Sequence, residues 1–262
     1  MIQIKDQLGF DITFNPSAQR IVSLVPSLTS LCCDLGIGNG IIGKTRYCPN
    51  DPRISKECKE IGGTKKFDIQ AILELRPDLI IANKEENPKD AIVELKEYCN
   101  VYISEIKNLS DNQRTISDIS KITDSLNLGN RINDRIQQEM KFYQNLNSNT
   151  SKYRVCYLIW KNPIMSVGGD TFIHSMIEAA GWINVCSDML RYPVLTLEEI
   201  AQKDPDILLL SDEPYPFASK DQAYFPFPSV LVDAKAFSWY GSKIISSFDY
   251  FFSLRNQIKE SL

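Results

Sequence analysis

Two stretches of the chain share one pattern, Ile69-Gln-Ala-Ile-Leu-Glu-Leu-Arg-Pro-Asp-Leu-Ile-Ile81 and Leu197-Glu-Glu-Ile-Ala-Gln-Lys-Asp-Pro-Asp-Ile-Leu-Leu209. Each has apolar residues at helical spacing, then a proline that cannot continue a helix, then a continuous aliphatic run. The prolines Pro77 and Pro205 lie 128 residues apart. The pattern therefore predicts a helix, a turn and a buried strand, present in two copies.

The residues around these two stretches also correspond, so the duplication predicts two complete lobes. Aliphatic runs without polar alternation are typical of parallel strands that helices cover on both faces. A first strand is predicted in each half, starting at Arg20 and at Arg154. We predict an α/β fold class with two αβα Rossmann-like lobes, mostly parallel sheets and one long connecting helix. The predicted boundaries are 1–128 for the first lobe with an N-terminal hairpin, 129–147 for the helix and 148–262 for the second lobe.

Two local patterns support these boundaries. Apolar residues recur at helical spacing between the lobes and mark one face of a connecting helix, namely Ile132, Ile136, Met140 and Tyr143. In the second lobe, Asp170 or Thr171 can cap a helix over 172–180, and Gly181 can end it. The connecting segment and the start of the second lobe are therefore both predicted to be helical.

Composition excludes several classes of protein. The chain has 262 residues, a formal net charge of −4 and 24% charged residues, and it has no long basic run that would attract nucleic acid. No apolar run approaches the roughly 20 residues of a membrane span, and the start lacks a leader pattern. Seven cysteines without a C-x-x-C pair indicate reduced, mostly buried thiols. The missing leader pattern and the cysteines favour the cytoplasm if the chain is complete, and we expect a monomer.

One motif suggests a nucleotide site. The residues from Gly38 to Thr45 satisfy the phosphate-loop pattern G-x-x-x-x-G-K-[ST]. That mechanism needs a strand before the loop and a helix after it. Here a helix is predicted before it, over 28–35, and Pro49 and Pro52 follow the lysine. A P-loop ATPase therefore stays only as an alternative.

Catalysis, cofactors and metal ions have no positive support in the sequence. The single histidine, His174, cannot build a site of several histidines, and we interpret it as a surface or half-buried helix residue. No G-x-S-x-G motif occurs, and adjacent acids such as Glu85 and Glu86 are usually solvated. We therefore predict no catalytic residue, no metal ion and no cofactor.

Ligands of open parallel sheets bind at the carboxyl ends of the strands. The loops expected there are rich in aromatic residues, which suit a bulky organic ligand or metal chelate better than an ion. These loops are 26–29, 45–49, 63–67, 83–87, 160–163, 191–193, 212–217 and 237–241.

An ordered set of motifs across nearly the whole chain resembles one family. They are Arg20-Ile-Val-Ser-Leu-Val-Pro-Ser-Leu-Thr29, Leu75-Arg-Pro-Asp-Leu-Ile-Ile81, Gly168-Gly-Asp-Thr-Phe-Ile173 and Asp204-Pro-Asp-Ile-Leu-Leu-Leu210, with the glycine pairs between them. The set resembles the vitamin B12 and ferric-siderophore substrate-binding proteins of ABC importers. The resemblance implies two lobes joined by a rigid helix, a cleft between them and delivery of the ligand to a permease.

The resemblance also implies site residues. One wall of the cleft would carry Pro26, Ser27, Thr29, Tyr47 and Lys65, and the other would carry Trp160, Tyr192, Trp239 and Tyr240. The implied ligand is a corrinoid first and a ferric siderophore second.

Acidic residues of the family dock onto the permease, which implies Glu198 in the second lobe and Glu74 near the equivalent position of the first. The family location is periplasmic or at the cell surface, after removal of a signal. A cytosolic two-lobe scaffold without a small ligand stays as a further alternative.

Overall fold

A computed structural model describes residues 1–14, 17–147, 150 and 152–262, and both repeated stretches form a helix followed by a buried parallel strand. The described chain divides into two compact units. One contains Met1–Ile106, Ser110–Arg135 and Tyr240–Lys243, and the other contains Lys107–Leu109, Ile136–Trp239 and Ile244–Leu262.

The amino-terminal unit is built on a five-stranded parallel sheet of order β5-β4-β3-β6-β7, beside the antiparallel hairpin β1-β2. Its elements in chain order are β1 (Ile2–Lys5), β2 (Asp11–Phe14), β3 (Ile21–Ser23), α1 (Pro26–Asp34), β4 (Ile41–Lys44), β5 (Lys59–Glu60), α2 (Ile69–Glu74), β6 (Leu79–Asn83), α3 (Lys89–Lys96), β7 (Val101–Ser104) and α4 (Leu109–Ile122). The long helix α5 (Leu126–Asn147) follows.

The carboxyl-terminal unit repeats this design with the strand order β10-β8-β11-β12, all parallel, and with β9 antiparallel to β8. Its elements are β8 (Arg154–Trp160), β9 (Met165–Ser166), α6 (Phe172–Ala179), β10 (Ile183–Asn184), α7 (Leu197–Gln202), β11 (Ile207–Ser211), α8 (Ser219–Gln222), β12 (Ser229–Val232), α9 (Ala234–Ser238) and α10 (Ile244–Ser261). Short 3-10 turns cover Gly38–Gly40 and Gly241–Lys243.

Both faces of the first sheet are covered, as the unbroken aliphatic strands predict. On one face Val22 and Ile80 pack in a cluster with Ile72 of α2 and Leu95 of α3. From the other face the hydroxyl of Tyr102 donates to Asp118 of α4 at 3.0 Å. Each fully buried aliphatic side chain stabilises the folded state by about 1.5–3 kcal/mol. A parallel sheet with helices on both faces is the α/β fold class that the pattern predicts.

The two helix-to-strand turns are equivalent in detail. Arg76 and Asp204, each directly before the repeated proline, both have a φ of 50°. The helices α2 and α7 are also capped at matching positions, by Asp68 and by Thr196, whose side chains accept backbone N–H groups. The sequence repeat therefore extends to backbone conformation.

Several local predictions are confirmed. The hairpin at the amino terminus forms, and Thr171 rather than Asp170 caps α6. Of the expected inner face of the connecting helix, Ile136 and Tyr143 are buried. All seven cysteines are free, five of them buried.

Other predicted boundaries were wrong. The helix expected over 129–147 begins at Leu126, because the chain turns directly from α4 into it. The division between the units falls after Arg135, and Tyr240–Lys243 belongs to the amino-terminal unit.

No helix in the described ranges is both long and apolar enough to cross a bilayer.

Candidate ligand-binding site

An open pocket of about 840 Å³ lies in the amino-terminal unit, beyond the carboxyl ends of β4 and β5. Residues 46–47, 60–68 and 71 line it, and they include the predicted site residues Tyr47 and Lys65. This is the edge of a parallel sheet at which ligands bind. The pocket therefore has the size and the place of a site for an organic ligand.

Two adjacent glycines shape the base of the pocket. Gly62 has a φ of +113° and forms a bridge with Phe67, and its carbonyl accepts the amide of Arg46 at 2.8 Å. A Cβ atom on Gly62 would lie 2.7 Å from the carbonyl oxygen of Lys66, so only glycine fits. A Cβ on Gly63 would lie 3.2 Å from the ring of Tyr47. The glycine pair thus lets the loop and the tyrosine ring approach closely.

The pocket offers aromatic surface. Tyr47 is 63% exposed although its ring lies against Gly63, so most of that ring is open to a partner. Phe67 is half-buried and packs on the core cluster of the first sheet. An exposed aromatic ring on a fixed backbone is suited to contact a flat apolar ligand.

The charged groups of the pocket differ in their partners. The guanidinium of Arg46 faces the carboxylate of Glu60 at 3.6 Å, and the carboxylate of Asp68 caps α2 by accepting the amide of Ala71. The ammonium of Lys65 donates to the backbone carbonyl of Glu85, which carries no charge.

Lys66 is exposed, and its ammonium group has no hydrogen-bond or ion-pair partner among the described residues. Neither the Lys65 nor the Lys66 ammonium group is therefore in an ion pair with another described residue.

The loop after β6 places a carboxyl group near this lysine pair. Asn83 accepts the amides of Glu85 and Glu86 at 2.8 and 3.2 Å, and Asn87 donates to the carbonyls of Leu24 and Thr64. Glu86 is half-buried, and its burial raises the pKa of its carboxyl group to about 7, although the charge of Lys65 opposes the rise.

The expectation that Glu86 is solvated was wrong, because this residue is half-buried. Two asparagines in a short loop after a strand are the signal that could have indicated this fixed turn, since asparagine side chains bind nearby backbone groups.

Residues 26–29 were expected to form a loop. This prediction was wrong, because they form the first turn of α1. Thr29 is fully buried, and its hydroxyl contacts Ser23 Oγ at 2.7 Å and Cys48 Sγ at 3.0 Å. Ser27 is also buried, and its hydroxyl has no hydrogen-bond partner. Pro26 is half-buried at the first position of the helix, where its missing N–H costs nothing.

The predicted residues of the carboxyl-terminal unit lie at or after strand and helix ends. Trp160 ends β8, is 38% exposed, and meets Tyr215 edge-on with ring centroids 5.7 Å apart. Tyr192 is half-buried in the loop before α7. Trp239 is half-buried directly after α9, with the ammonium of Lys235 5.5 Å from its ring. These side chains are partly open, as a binding role requires.

Tyr240 differs from this set. It is buried, and it belongs to the amino-terminal unit, so its expected place with the second lobe was wrong. After Arg135 the chain returns to the first unit for the short segment Tyr240–Lys243, which no periodic pattern marks.

The phosphate-loop alternative fails on geometry. Ile41–Lys44 is the strand β4, which ends at the lysine of the motif, and the next element is the strand β5 rather than a helix. The ammonium of Lys44 instead binds the carbonyl of Pro49 at 2.9 Å and the amide oxygen of Asn50 at 3.1 Å. No helix N-terminus is therefore available here for phosphates.

His174 is half-buried on α6 with Asn184 and Glu178 beside it, as its interpretation as a helix residue expects. Within the described ranges, no three His, Cys, Asp or Glu side chains come together in a way that could hold a metal ion.

The two acids expected at a permease are exposed but not equivalent. Glu198 lies in the first turn of α7, whereas Glu74 ends α2. Gln70 occupies the position of α2 that matches Glu198.

The chain is similar in sequence to a family of binding proteins. A family profile described as "Periplasmic binding protein" matches residues 21–227. A vitamin B12-binding protein of Vibrio parahaemolyticus is 24% identical over 199 residues, which is 75% of this chain and 72% of that protein.

Two solved structures share the fold. The periplasmic vitamin B12 binding protein BtuF of Vibrio cholerae superposes with a TM-score of 0.78 at 20% identity, covering 94% of this chain and 98% of its own. The periplasmic heme binding protein HutB of the same organism gives 0.77 at 20% identity, covering 90% and 98%.

Proposed function

The chain belongs to the periplasmic binding protein family, and we propose that it binds a bulky metal chelate and delivers it to an ABC importer. A corrinoid is the first proposed ligand and a ferric siderophore the second. The observation that carries the proposal is the open pocket of about 840 Å³ with the exposed ring of Tyr47 at the carboxyl edge of the first sheet.

Two observations support the proposed ligand class. Relatives of this chain are named for vitamin B12, and a structural neighbour is named for heme, and both ligands are broad tetrapyrrole-like chelates. Aromatic side chains that are at least partly open occur in both units, as with Tyr47 and Trp160. Rings of this kind bind flat faces through contact area, and each well-buried contact contributes on the order of 1–3 kcal/mol.

We further propose ligand contacts for the residues that the family resemblance implies. Tyr47 and Lys65 would act from the first unit, and Trp160, Tyr192 and Trp239 from the second. Pro26, Ser27, Thr29 and Tyr240 are buried or half-buried, so we propose a structural role for them rather than direct contact with the ligand.

Tryptophan fluorescence tests the ligand directly. The chain has three tryptophans, and Trp182 is buried, so a Trp182→Phe background leaves Trp160 and Trp239 as the only reporters. Titration with cobalamin, heme, ferrichrome and ferric citrate, corrected for ligand absorbance, should give saturable quenching with at least one of them. Trp160→Phe in that background separates the two reporters.

Absence of saturable binding by every chelate, confirmed by calorimetry, would reject the proposed function. A cytosolic scaffold without a small ligand would then be the remaining interpretation.

Docking of the loaded protein to a permease is proposed to use Glu198 and Glu74. Cells that carry Glu198→Lys should take up labelled chelate more slowly, while the purified variant keeps its ligand affinity. Lys is chosen because it reverses the charge that a cationic permease surface would attract. Unchanged uptake in a Glu74→Lys and Glu198→Lys double variant would remove these residues from the proposal.

Family members act outside the cytoplasmic membrane, and we propose the same location for this protein. The cytoplasmic alternative has no support among the relatives. Cell fractionation with a cytosolic enzyme as marker distinguishes the two.

A further inference from the structure

The pocket of the amino-terminal unit has a charge opposite to that of the chain. The whole chain carries a formal net charge of −4. The pocket lining holds three cations, Arg46, Lys65 and Lys66, against two acids, Glu60 and Asp68. A local excess of positive charge on an acidic protein attracts anionic ligands selectively to that place.

The acids in the lining do not neutralise the two lysines. Glu60 is the ion-pair partner of Arg46, and Asp68 is engaged at the amino end of α2. The ammonium of Lys65 is held by a neutral carbonyl, with the carboxyl group of Glu86 nearby, and the side chain of Lys66 has no hydrogen-bond or ion-pair partner among the described residues. An incoming acidic group could therefore bind the Lys66 ammonium, with Lys65 next to it in the sequence, without displacing an existing ion pair.

The neighbouring ring and backbone place this charge beside an apolar face. Tyr47 is exposed and lies against Gly63, two residues before Lys65. The backbone here is fixed, because the amide of Gly63 donates to the carbonyl of Lys66 at 2.7 Å. A flat ligand on the ring could thus direct a substituent at its edge toward the lysines.

Granted the proposed function, on which this rests, we propose that Lys65 and Lys66 bind an acidic group at the edge of the chelate. The ligand class is therefore an anionic chelate that carries a carboxylate or phosphate, rather than a neutral or cationic one. Lys66 is the main specificity residue, because Lys65 also holds the loop after β6 in place through the Glu85 carbonyl.

Matched ligand pairs test this charge preference. Heme and its dimethyl ester differ only in two carboxylates, and cobalamin and cobinamide differ in the nucleotide loop that carries a phosphodiester. Ferric citrate and ferrichrome compare an acidic with a neutral iron chelate. Dissociation constants are measured by calorimetry for whichever pair binds in the fluorescence titrations.

The variant is Lys66→Glu, and the matched control is Lys56→Glu, an exposed lysine of the same unit outside the pocket. Lys66→Glu should raise the Kd of the acidic member at least tenfold and change that of the neutral member less than twofold. Lys66→Arg should restore binding, and Lys56→Glu should leave both values unchanged. Raising the salt concentration should weaken only the acidic member.

Two results would overturn the inference and leave the proposed function standing. One is an unchanged Kd of the acidic ligand in Lys66→Glu, and the other is an equal loss for both members of the pair. If no chelate binds the unaltered protein, the proposed function itself fails. Since Lys66 is exposed, unfolding is not expected, and Lys66→Gln with a thermal melt checks this.

Discussion

The backbone amide of Arg154 donates to the carboxylate of Asp206 at 2.7 Å, while the Arg154 guanidinium binds the carbonyls of Lys203 and Asp204 at 2.6 and 2.8 Å. Arg154, at the start of β8, thereby holds the turn that precedes the neighbouring strand β11. In the other unit the backbone amide of Arg20 likewise donates to the carboxylate of Asp78, and the Arg20 guanidinium donates to the carbonyls of Leu75 and Arg76. The duplicated sequence thus encodes a duplicated clamp between first strand and helix-to-strand turn.

Arg154→Ala should lower the free energy of unfolding by about 1–2 kcal/mol, because two carbonyls of the turn lose their donor. Urea denaturation of the purified variant measures this. Arg131→Ala, which removes an exposed arginine of α5, should have no measurable effect. Equal stability of both variants would show that the clamp contributes nothing.

Gly62→Ala should distort the pocket. The new Cβ would combine a φ of +113° with a contact of 2.7 Å to a carbonyl oxygen, so we expect a loss of at least about 2 kcal/mol and weaker ligand binding. Gly9→Ala is the control, since Gly9 has a φ of +91° but nothing within 4 Å of a Cβ. It should cost about 1 kcal/mol and leave binding intact. Similar effects in both would refute the close contact at Gly62.

Stability should fall as the pH rises from about 4.5 to about 7, in part through Glu86. Its pKa is raised to about 7 by burial, from an ordinary value of 4.5. Over this range the folded state keeps a proton that the unfolded state releases, so the free energy of unfolding decreases, by on the order of 2–3 kcal/mol in total.

The pH effect is checked by urea unfolding at pH 4.5 and pH 8. Glu86→Gln should be more stable than the unaltered protein at pH 8 and should lose this part of the pH dependence. Glu94→Gln, an exposed acid on α3, should keep it. An identical pH profile in Glu86→Gln would mean that Glu86 is solvated.

Trp182→Phe should fold with a loss below about 1.5 kcal/mol, although Trp182 is only 3% exposed. Its indole N–H has no hydrogen-bond partner, so phenylalanine removes an unsatisfied buried donor together with part of the ring. The contact with Phe251, 5.9 Å between centroids, should be partly kept. A thermal melt measures the change, and a loss above 3 kcal/mol would indicate that the N–H is satisfied.

Much of the fold could be read from local pattern. The helix, proline and aliphatic run around Pro77 and Pro205 predict both central strands, because these features depend on neighbouring residues only. Tyr47 and Lys65 could be placed at a sheet edge for the same reason, since loops after parallel strands always meet there.

The site itself depended on contacts between distant segments. Thr29 was expected at a ligand surface but is buried against Cys48, 19 residues away, and Glu86 was expected in solvent but is half-buried. Burial and pKa are set by whatever else packs around a group, which no local pattern specifies.

The sequence by itself determined the duplicated α/β architecture, because periodicity, proline and capping residues act within a few positions along the chain. Only the tertiary structure decided which lysines are left without an ion pair and which acid loses its water. Charge balance and solvation are sums over all groups nearby in space, and Lys65 and Glu86 become neighbours only when β6 pairs with β3 in the folded sheet.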